Sequence, residues 1–374
     1  MRWRTAIAIA FFGVFASGLA RLSDSRYHLW RLEDRGQGIT QLAADKDQLA
    51  GIGLYSRRAW IFDRPTGAFR VETVPDPSHD IVPVPATGGG MIVIPYLSGQ
   101  ALYFPADGSR VRVLDLSMAD VPSPGYAVGD LIRGRDDWYA AAYGIAADGT
   151  VKKEFPQFAP GYLNFPYALL KVGEFDAQRI ALRDAWFQGT SRWHEESFHP
   201  WKLALTEDER ALVVLNTMGE TLAVHDTRDA ELRFEAAAPS GPIDLLVFDG
   251  EAAVAAPESP YVHLFDLNSG EESGRIPTGR GVVALARDDR GHVLALSKYR
   301  RALVVASRSR HGVWATREIA LPGTPASLVW WQGMAIVADS VDGSVRRVDV
   351  DAGTVGEAVP FMDLANGDPW RDAS

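Results

Sequence analysis

The chain has 374 residues, of which 47% are hydrophobic and 23% charged, and a formal net charge of −10. This composition excludes a disordered or fibrous protein, since it supplies enough apolar side chains for a large buried core. The acidic balance disfavours nucleic acid and anionic membrane surfaces as partners, and the absence of cysteine excludes thiol nucleophiles, Cys-ligated zinc and disulfide bonds.

Residues 1–20 have the three-part layout of a secretory signal peptide. Arg2 and Arg4 form a positive start, an apolar core follows, and small residues up to Ala20 offer a cleavage site. An uncleaved membrane anchor is the alternative, but the apolar span is shorter than the roughly 20 residues of a transmembrane helix. We therefore expect residues 21–374 to form a domain of the periplasm or the extracellular space, with no membrane span after cleavage.

Short predicted strands follow one another along the rest of the chain. After a lone strand at residues 27–32, each unit contains short apolar runs separated by Gly, Pro, Asn and Asp, which is typical of an antiparallel meander. In the first three units, one closing turn glycine recurs as Gly67, Gly108 and Gly149, with a spacing of 41 residues. The corresponding positions of the later units are 229, 270, 312 and 353.

A period of about 41 residues with four short strands predicts an all-β fold, a single β-propeller of four-stranded blades. Three copies carry D-x-x-x-G in the turn: Asp63 to Gly67, Asp266 to Gly270 and Asp349 to Gly353. The aspartate can accept a backbone hydrogen bond, and the glycine can adopt the positive φ of the turn. We therefore interpret these aspartates as structural. A two-domain β-sandwich is the main alternative.

The repeat is irregular between Gly149 and Asp229, where 80 residues contain one clear unit. Residues 156–201 could be a degraded fourth blade or an insertion on a neighbouring blade. The first interpretation gives eight blades and the second gives seven, and we favour eight. In either case the strand at 27–32 could pair with the last unit and close the ring, which removes exposed strand edges.

Two segments resemble repeats of the YVTN-type propellers: V-A-D-S-V-D-G-S-V-R-R-V-D-V-D-A-G-T-V at residues 337–355 and L-N-T-M-G-E-T-L-A-V-H-D-T at residues 215–227. That group includes periplasmic and surface binding proteins, and it is related in fold to lactonase-like and quinoprotein-amine-dehydrogenase-like propellers. The resemblance lies in the repeats, so it implies the fold and says little about activity. The tryptophan repeat of pyrroloquinoline-quinone alcohol dehydrogenases is not apparent, so the resemblance implies no cofactor residues.

The irregular interval is rich in aromatic residues, with eleven from Phe155 to Trp201. Aromatic side chains on loops can stack on sugars or contact a partner protein. The alternative is that they form a small core beneath a long loop. The candidate partner-binding or ligand-binding residues are Tyr162, Tyr167, Trp186, Trp193 and Trp201.

The same interval holds the densest group of metal-ligand side chains, in W-H-E-E-S-F-H-P-W at residues 193–201. Its two histidines are five residues apart and would not share a helix face, which excludes the H-E-x-x-H zinc motif. On a loop, the group could bind zinc or another divalent metal, or act in acid/base catalysis. An ordinary hydrogen-bonded loop is the alternative. The candidate metal ligands are His194, Glu195, Glu196 and His199.

No G-x-S-x-G, phosphate-binding loop, dinucleotide fingerprint or EF-hand loop is present in the sequence, so no reaction is indicated. We interpret the chain as an exported, monomeric binding or scaffold module whose partner is an envelope protein or a glycan, not nucleic acid. The alternative is a propeller enzyme of the lactonase, lyase or redox kind, with its site at the mouth of the central channel.

Overall fold

The computed structural model describes most of the chain between residues 38 and 360. The described ranges are 38–53, 57–74, 78–84, 89–95, 100–115, 126–135, 137–144, 167–172, 177–179, 200–217, 219–229 and 231–360. Their regular structure consists of β-strands joined by turns. Nowhere in these ranges does a helix have the length and apolar character that a bilayer span requires.

The strands form seven consecutive antiparallel sheets, called sheets 1 to 7 below. Sheet 1 contains β1 (Gln41–Ala44), β2 (Gln48–Gly53), β3 (Arg58–Asp63) and β4 (Ala68–Thr73). Sheet 2 contains β5 (Ser78–Pro83), β6 (Gly90–Pro95), β7 (Gln100–Pro105) and β8 (Arg112–Asp115). Sheet 3 contains β9 (Tyr126–Arg133), β10 (Trp138–Gly144), β11 (Tyr167–Val172) and β12 (Ala177–Arg179).

The remaining sheets follow the same plan. Sheet 4 contains β13 (Pro200–Leu205), β14 (Ala211–Asn216), β15 (Thr221–Asp226) and β16 (Leu232–Ala237). Sheet 5 contains β17 (Asp244–Phe248), β18 (Glu251–Ala255), β19 (Tyr261–Asp266) and β20 (Glu272–Pro277). Sheet 6 contains β21 (Val282–Arg287), β22 (Val293–Ser297), β23 (Ala302–Arg308) and β24 (Trp314–Ala320). Sheet 7 contains β25 (Pro325–Trp331), β26 (Met334–Asp339) and β27 (Ser344–Asp349), with the short strands β28 (Thr354–Val355) and β29 (Val359–Pro360) both paired to β27.

The first strand of each sheet lies at the centre of a ring. Each inner strand contacts the inner strand of the next sheet, and β25 of sheet 7 contacts β1 of sheet 1. Closure is supported by hydrogen bonds from Ile39 N to Asp339 O at 3.1 Å and from Leu42 N to Ser327 Oγ at 2.9 Å. The predicted all-β single propeller with four-stranded blades is therefore confirmed. The predicted closing strand at residues 27–32 lies outside the described ranges.

The turns confirm the structural interpretation of the D-x-x-x-G aspartates. The Asp266 carboxylate accepts hydrogen bonds from the backbone N–H groups of Asn268 and Ser269, at 2.9 and 2.8 Å. Gly270 has a φ of 75°, a conformation that costs glycine little because it has no Cβ. The turn from Asp349 to Gly353 has the same pattern of hydrogen bonds. These aspartates stabilise the hairpins.

Apolar side chains fill the spaces between neighbouring sheets. All residues of β14, β18 and β22 are buried, because the second strand of a blade is covered on both faces by adjacent sheets. The outer strand β16 alternates between half-buried and exposed residues, as expected for a strand with one face in solvent. Between sheets 7 and 1, the buried rings of Phe62 and Trp331 lie edge to face with centroids 6.1 Å apart. The core is thus a series of apolar layers between blades.

The prediction of eight blades is wrong for the residues that the structure describes. These residues form six complete four-stranded blades and sheet 7, whose outer edge is divided between two short strands. The irregular interval does not form a separate fourth blade there, since β11 pairs with β10 in continuous register from Tyr143 with Tyr167 to Trp138 with Val172. The interval thereby supplies the outer strands of sheet 3, and β13 at its end begins sheet 4.

Candidate functional site in the central channel

Two cavities lie along the ring axis, where the inner strands converge. The larger, called the upper cavity, has a volume of about 630 Å³ and extends to Asp45 and Arg135 beyond the ends of the inner strands. The smaller, called the lower cavity, has a volume of about 460 Å³. Gln41, Lys202 and Asp244 line both cavities. Polar side chains therefore separate the two halves of the channel.

Four charged residues occupy related positions on four successive inner strands. They are Asp80 on β5, Asp130 on β9, Lys202 on β13 and Asp244 on β17, and they are called the channel cluster below. The strand register shifts beside Asp80, Asp130 and Lys202. A β-bulge of this kind changes the direction of a side chain. The four residues line the upper cavity.

Lys202 joins the carboxylates of two other sheets. Its Nζ lies 3.4 Å from Asp80 Oδ2 and 3.9 Å from Asp130 Oδ1. The two aspartate side chains are only 7% and 5% exposed, whereas the Lys202 side chain keeps 20% of its surface accessible to the channel. A buried carboxylate needs such a partner, because an uncompensated charge is costly in a low-dielectric environment.

The cluster also connects each blade to the next one through the backbone. Asp130 Oδ2 accepts a hydrogen bond from Leu203 N at 2.7 Å, and Asp244 Oδ2 accepts one from Leu285 N at 2.6 Å. The Ser327 hydroxyl accepts the equivalent bond from Leu42 N across the junction of sheets 7 and 1. These contacts stabilise the ring and restrict the movement of the carboxylates.

Burial perturbs the acidity of the cluster. Burial raises the pKa of Asp130 well above its ordinary value, against the opposing effect of Lys202. Burial likewise raises the pKa of Asp244 to about 6. Burial disfavours the charged Lys202 ammonium, but the carboxylates of Asp130, Asp80 and Asp244 outweigh that effect and raise the pKa of Lys202. Three carboxyl groups around one ammonium can bind a cationic group or exchange a proton near neutral pH.

The predicted metal ligands His194, Glu195, Glu196 and His199 lie outside the described residues, and that prediction stays a prediction. Among the described residues, no group of three or more His, Asp and Glu side chains is arranged to hold a metal ion.

Most of the predicted aromatic binding residues also lie outside the described ranges: Tyr162, Trp186 and Trp193. Tyr167 is the first residue of β11, and its backbone pairs with Tyr143. Trp201 on β13 is half-buried and lines the lower cavity. The structure thus places one of the five predicted side chains at the channel.

Sequence reasoning missed the channel cluster, although a weak signal was present. Asp80, Asp130 and Asp244 each lie on the first strand of a sheet and are followed directly by two apolar residues, in D-I-V, D-L-I and D-L-L. A charged residue at the first strand of several repeats points toward a propeller channel, because that strand is innermost. Lys202 carries no such signal, because it directly follows the segment at residues 193–201 and no pattern marks the lysine itself.

Comparison with solved structures confirms the β-propeller fold. The chain is similar to virginiamycin B lyase from Staphylococcus aureus, with 12% identity, a TM-score of 0.59, and coverage of 82% of this chain and 93% of that chain. It is similar to the WD40 β-propeller domain of Doa1, with 12% identity, a TM-score of 0.56, and coverage of 83% and 92%. It is also similar to a candidate 6-phosphogluconolactonase from Bacteroides fragilis, with 13% identity, a TM-score of 0.52, and coverage of 77% and 85%.

These neighbours include a lyase, a lactonase-like protein and a WD40 propeller, so the fold does not select an activity. No protein-family model matches the chain. No curated protein matches it either.

Proposed function

We propose that this protein is an exported β-propeller that binds an envelope protein or a glycan and acts as a scaffold module. The observation that carries this proposal is the charged lining of the upper cavity. Acidic and basic groups both line it, with Asp45, Arg135 and Glu209 at the rim and the channel cluster below. Pockets for small apolar ligands are mostly hydrophobic, whereas this lining suits the hydroxyl groups of a glycan or a polar protein loop.

Contacts between blades support a scaffold role. At the rim, Arg135 N donates a hydrogen bond to Glu209 Oε2 at 2.7 Å and so connects sheets 3 and 4. Below the rim, Asp130 and Asp244 hold the backbones of the following sheets. These contacts hold neighbouring blades together, so the ring can bind a partner without a change in its backbone, as preorganised binding proteins do.

The binding surface is tested with a charge reversal and a matched control. Immobilised full-length protein is incubated with envelope extract and, separately, with a glycan array. We expect a bound protein or glycan that is lost in Arg135→Glu and retained in Arg310→Glu, since Arg310 is exposed on the outer part of sheet 6. Equal binding by both variants, or no binding above that of an unrelated propeller, would contradict the proposal.

The aromatic interval 156–201 remains a second predicted contact surface, through Tyr162, Tyr167, Trp186, Trp193 and Trp201. Trp201 supports its connection to the channel, because it lines the lower cavity next to Lys202. Replacing Trp201 with Ala should weaken partner binding if the lower cavity is used. Unchanged affinity in a correctly folded variant would restrict binding to the upper cavity.

A second candidate function is a propeller enzyme with its site at the channel mouth, and one observation favours it. Asp244 lines both cavities and has a pKa raised to about 6, so it could act as a general acid or base near neutral pH. If the protein is an enzyme of this kind, Asp244→Asn abolishes turnover while partner binding survives. The predicted divalent metal at His194, Glu195, Glu196 and His199 belongs to this alternative, and metal analysis of the purified protein tests it.

Export rests on the sequence of residues 1–20. We expect the mature protein to begin at Arg21 and to be recovered from the periplasm or the medium. N-terminal sequencing of protein purified from fractionated cells gives the answer, and an intact N-terminus on a cytoplasmic protein would contradict it.

A further inference from the structure

Ser259, His263 and Glu272 form a chain of hydrogen bonds on the outer strands of sheet 5. Ser259 lies in the turn between β18 and β19, His263 on β19, and Glu272 at the start of β20. Ser259 Oγ is 2.9 Å from His263 Nε2, and His263 Nδ1 is 2.7 Å from Glu272 Oε1. A hydroxyl on one ring nitrogen and a carboxylate on the other is the arrangement of a serine nucleophile, its base and the group that orients the base.

The partners of the imidazole determine where its protons lie. Arg275 donates to both oxygens of Glu272, at 2.7 and 2.9 Å, and this pairing lowers the pKa of Glu272 to about 2. Glu272 is therefore an acceptor at neutral pH, and in the neutral imidazole Nδ1 must carry the proton. Nε2 is then left to accept the hydrogen bond of the Ser259 hydroxyl. That tautomer is the one a base needs in order to take the serine proton.

The repeat itself does not require this group of residues. His263 stands three residues before Asp266, the aspartate of the hairpin turn. The same position holds Trp60 in β3, Ala223 in β15 and Arg346 in β27, which precede turn aspartates in the same way. Hairpins of this propeller therefore form without a histidine here, and the three-residue chain is an addition to the fold.

The turn that carries Ser259 is held from both sides. Ser259 N donates to Ala256 O at 3.0 Å, and Gly279 N donates to Pro260 O at 2.9 Å. Tyr261 N donates to Ser259 Oγ at 3.1 Å, so the oxygen faces a backbone donor as well as the histidine. A fixed nucleophile loses little conformational entropy when it reacts.

Two exposed aromatic rings lie beside this turn. Tyr261 is 39% exposed and follows Ser259 by two residues, and Tyr299 from sheet 6 is 62% exposed. The Tyr299 hydroxyl donates to Glu258 Oε1 at 3.2 Å, next to Ser259 in the chain. Ser259 and His263 are themselves half-buried. The surroundings thus offer a shallow, partly aromatic surface that a small ester can reach.

We propose that Ser259, His263 and Glu272 form a site that hydrolyses small, accessible acyl esters. Ser259 Oγ adds to the ester carbonyl as its proton passes to His263 Nε2. The tetrahedral adduct then releases the alcohol, which takes that proton and leaves an acyl ester on Ser259. Water, deprotonated by His263, adds to this ester, and the acid leaves as the proton returns to Ser259. Glu272 keeps the imidazole oriented throughout. Water is the only other reactant, so atoms and charges balance.

The first test uses a fluorophosphonate probe and p-nitrophenyl acetate with the full-length protein. We expect a single covalent adduct that maps to Ser259, and release of p-nitrophenol above the buffer rate. Both should be lost in Ser259→Ala, and His263→Gln should slow them by about 10²-fold, the usual contribution of a general base. The control is Ser269→Ala, an exposed serine of the same blade whose hydroxyl accepts from Glu271 N; it should leave both rates unchanged. Absence of an adduct at Ser259, or equal p-nitrophenol release by wild type and Ser259→Ala, would overturn the proposal.

A second test uses the absence of cysteine from the chain. Ser259→Cys and Ser269→Cys each introduce one thiol, and iodoacetamide alkylation at pH 7 measures thiolate formation. We expect alkylation at position 259 to be at least about 10-fold faster, and this advantage to disappear in the Ser259→Cys/His263→Gln double variant. Equal alkylation at the two positions would show that His263 does not activate position 259 and would also overturn the proposal. Circular dichroism melting of each variant confirms that the comparison is made between folded proteins.

Discussion

Replacement of Lys202 with Met tests whether its ammonium stabilises the channel. Methionine keeps a long apolar side chain but removes the charge that lies 3.4 Å from Asp80 and 3.9 Å from Asp130. At an effective dielectric constant of roughly 20, these distances correspond to attractions of about 5 and about 4 kcal/mol. Much of that attraction offsets desolvation, and loss of one partner of a buried ion pair typically costs about 3–5 kcal/mol. We expect the free energy of unfolding of Lys202→Met to fall by that amount at pH 7.

The pH dependence of this loss provides the sharper test. Burial already raises the pKa values of Asp130 and Asp244 above those of an unfolded chain, and removal of Lys202 raises them further. The folded variant therefore holds more protons than the unfolded chain between about pH 4 and pH 7, so its stability increases as pH falls. The wild type gains less stability than the variant over the same pH range, so we expect the loss to be smaller at pH 5 than at pH 7.

Urea unfolding at pH 7 and pH 5 measures both quantities. The matched control is Lys46→Met, since Lys46 is exposed in the turn between β1 and β2 and should change the free energy of unfolding by less than about 0.5 kcal/mol at either pH. A loss for Lys202→Met below about 1 kcal/mol at pH 7, or a loss of the same size at both pH values, would refute the reasoning.

Three further predictions follow from the described contacts. Asp130→Asn keeps an acceptor for the backbone N–H of the next sheet and removes a desolvated charge. In urea unfolding it should therefore lower the free energy of unfolding by about 1–3 kcal/mol less than Asp130→Ala does. Equal losses for the two variants would contradict a hydrogen-bonding role. Gly281→Ala places a Cβ 2.5 Å from the Tyr299 side chain, at a φ of 88°. The control is Gly250→Ala, whose Cβ meets no atom within 4 Å, so the Tm of Gly281→Ala should fall several degrees further. Equal shifts in Tm would contradict the clash. Because the pKa of Asp244 is raised to about 6, the stability of the wild type should decline from pH 5 to pH 7. Asp244→Asn should make this decline shallower. An unchanged decline would show that another group causes the pH dependence.

The hairpins were predictable because they depend on residues close together in the chain. Asp266 bonds to the N–H groups two and three positions later, and Gly270 supplies the positive φ. Such contacts require only the correct residues at a fixed short spacing, and their recurrence about every 41 residues predicted a propeller. The interval 156–201 was not predictable in the same way, because β11 and β12 lack that spacing. β11 joins sheet 3 by pairing with β10, and β12 pairs with β11.

The channel cluster depends on ring closure, which no local pattern describes. Asp80, Asp130, Lys202 and Asp244 belong to four different sheets, and no strand alone shows that its charged residue faces the others. Only the convergence of the inner strands places Lys202 between two carboxylates. The same limit applies to Ser259, whose partner His263 is close in sequence but is oriented by the cross-strand Glu272.

The amino-acid sequence by itself determined the strand-and-turn repeat, and with it the propeller, because alternating apolar runs and turn residues act over a few positions. Tertiary structure decided the number of described sheets, the charged channel and the hydrogen-bonded group on sheet 5. The physical reason is that burial and charge pairing depend on which distant strands become neighbours. Those neighbours are selected by the closure of the whole ring.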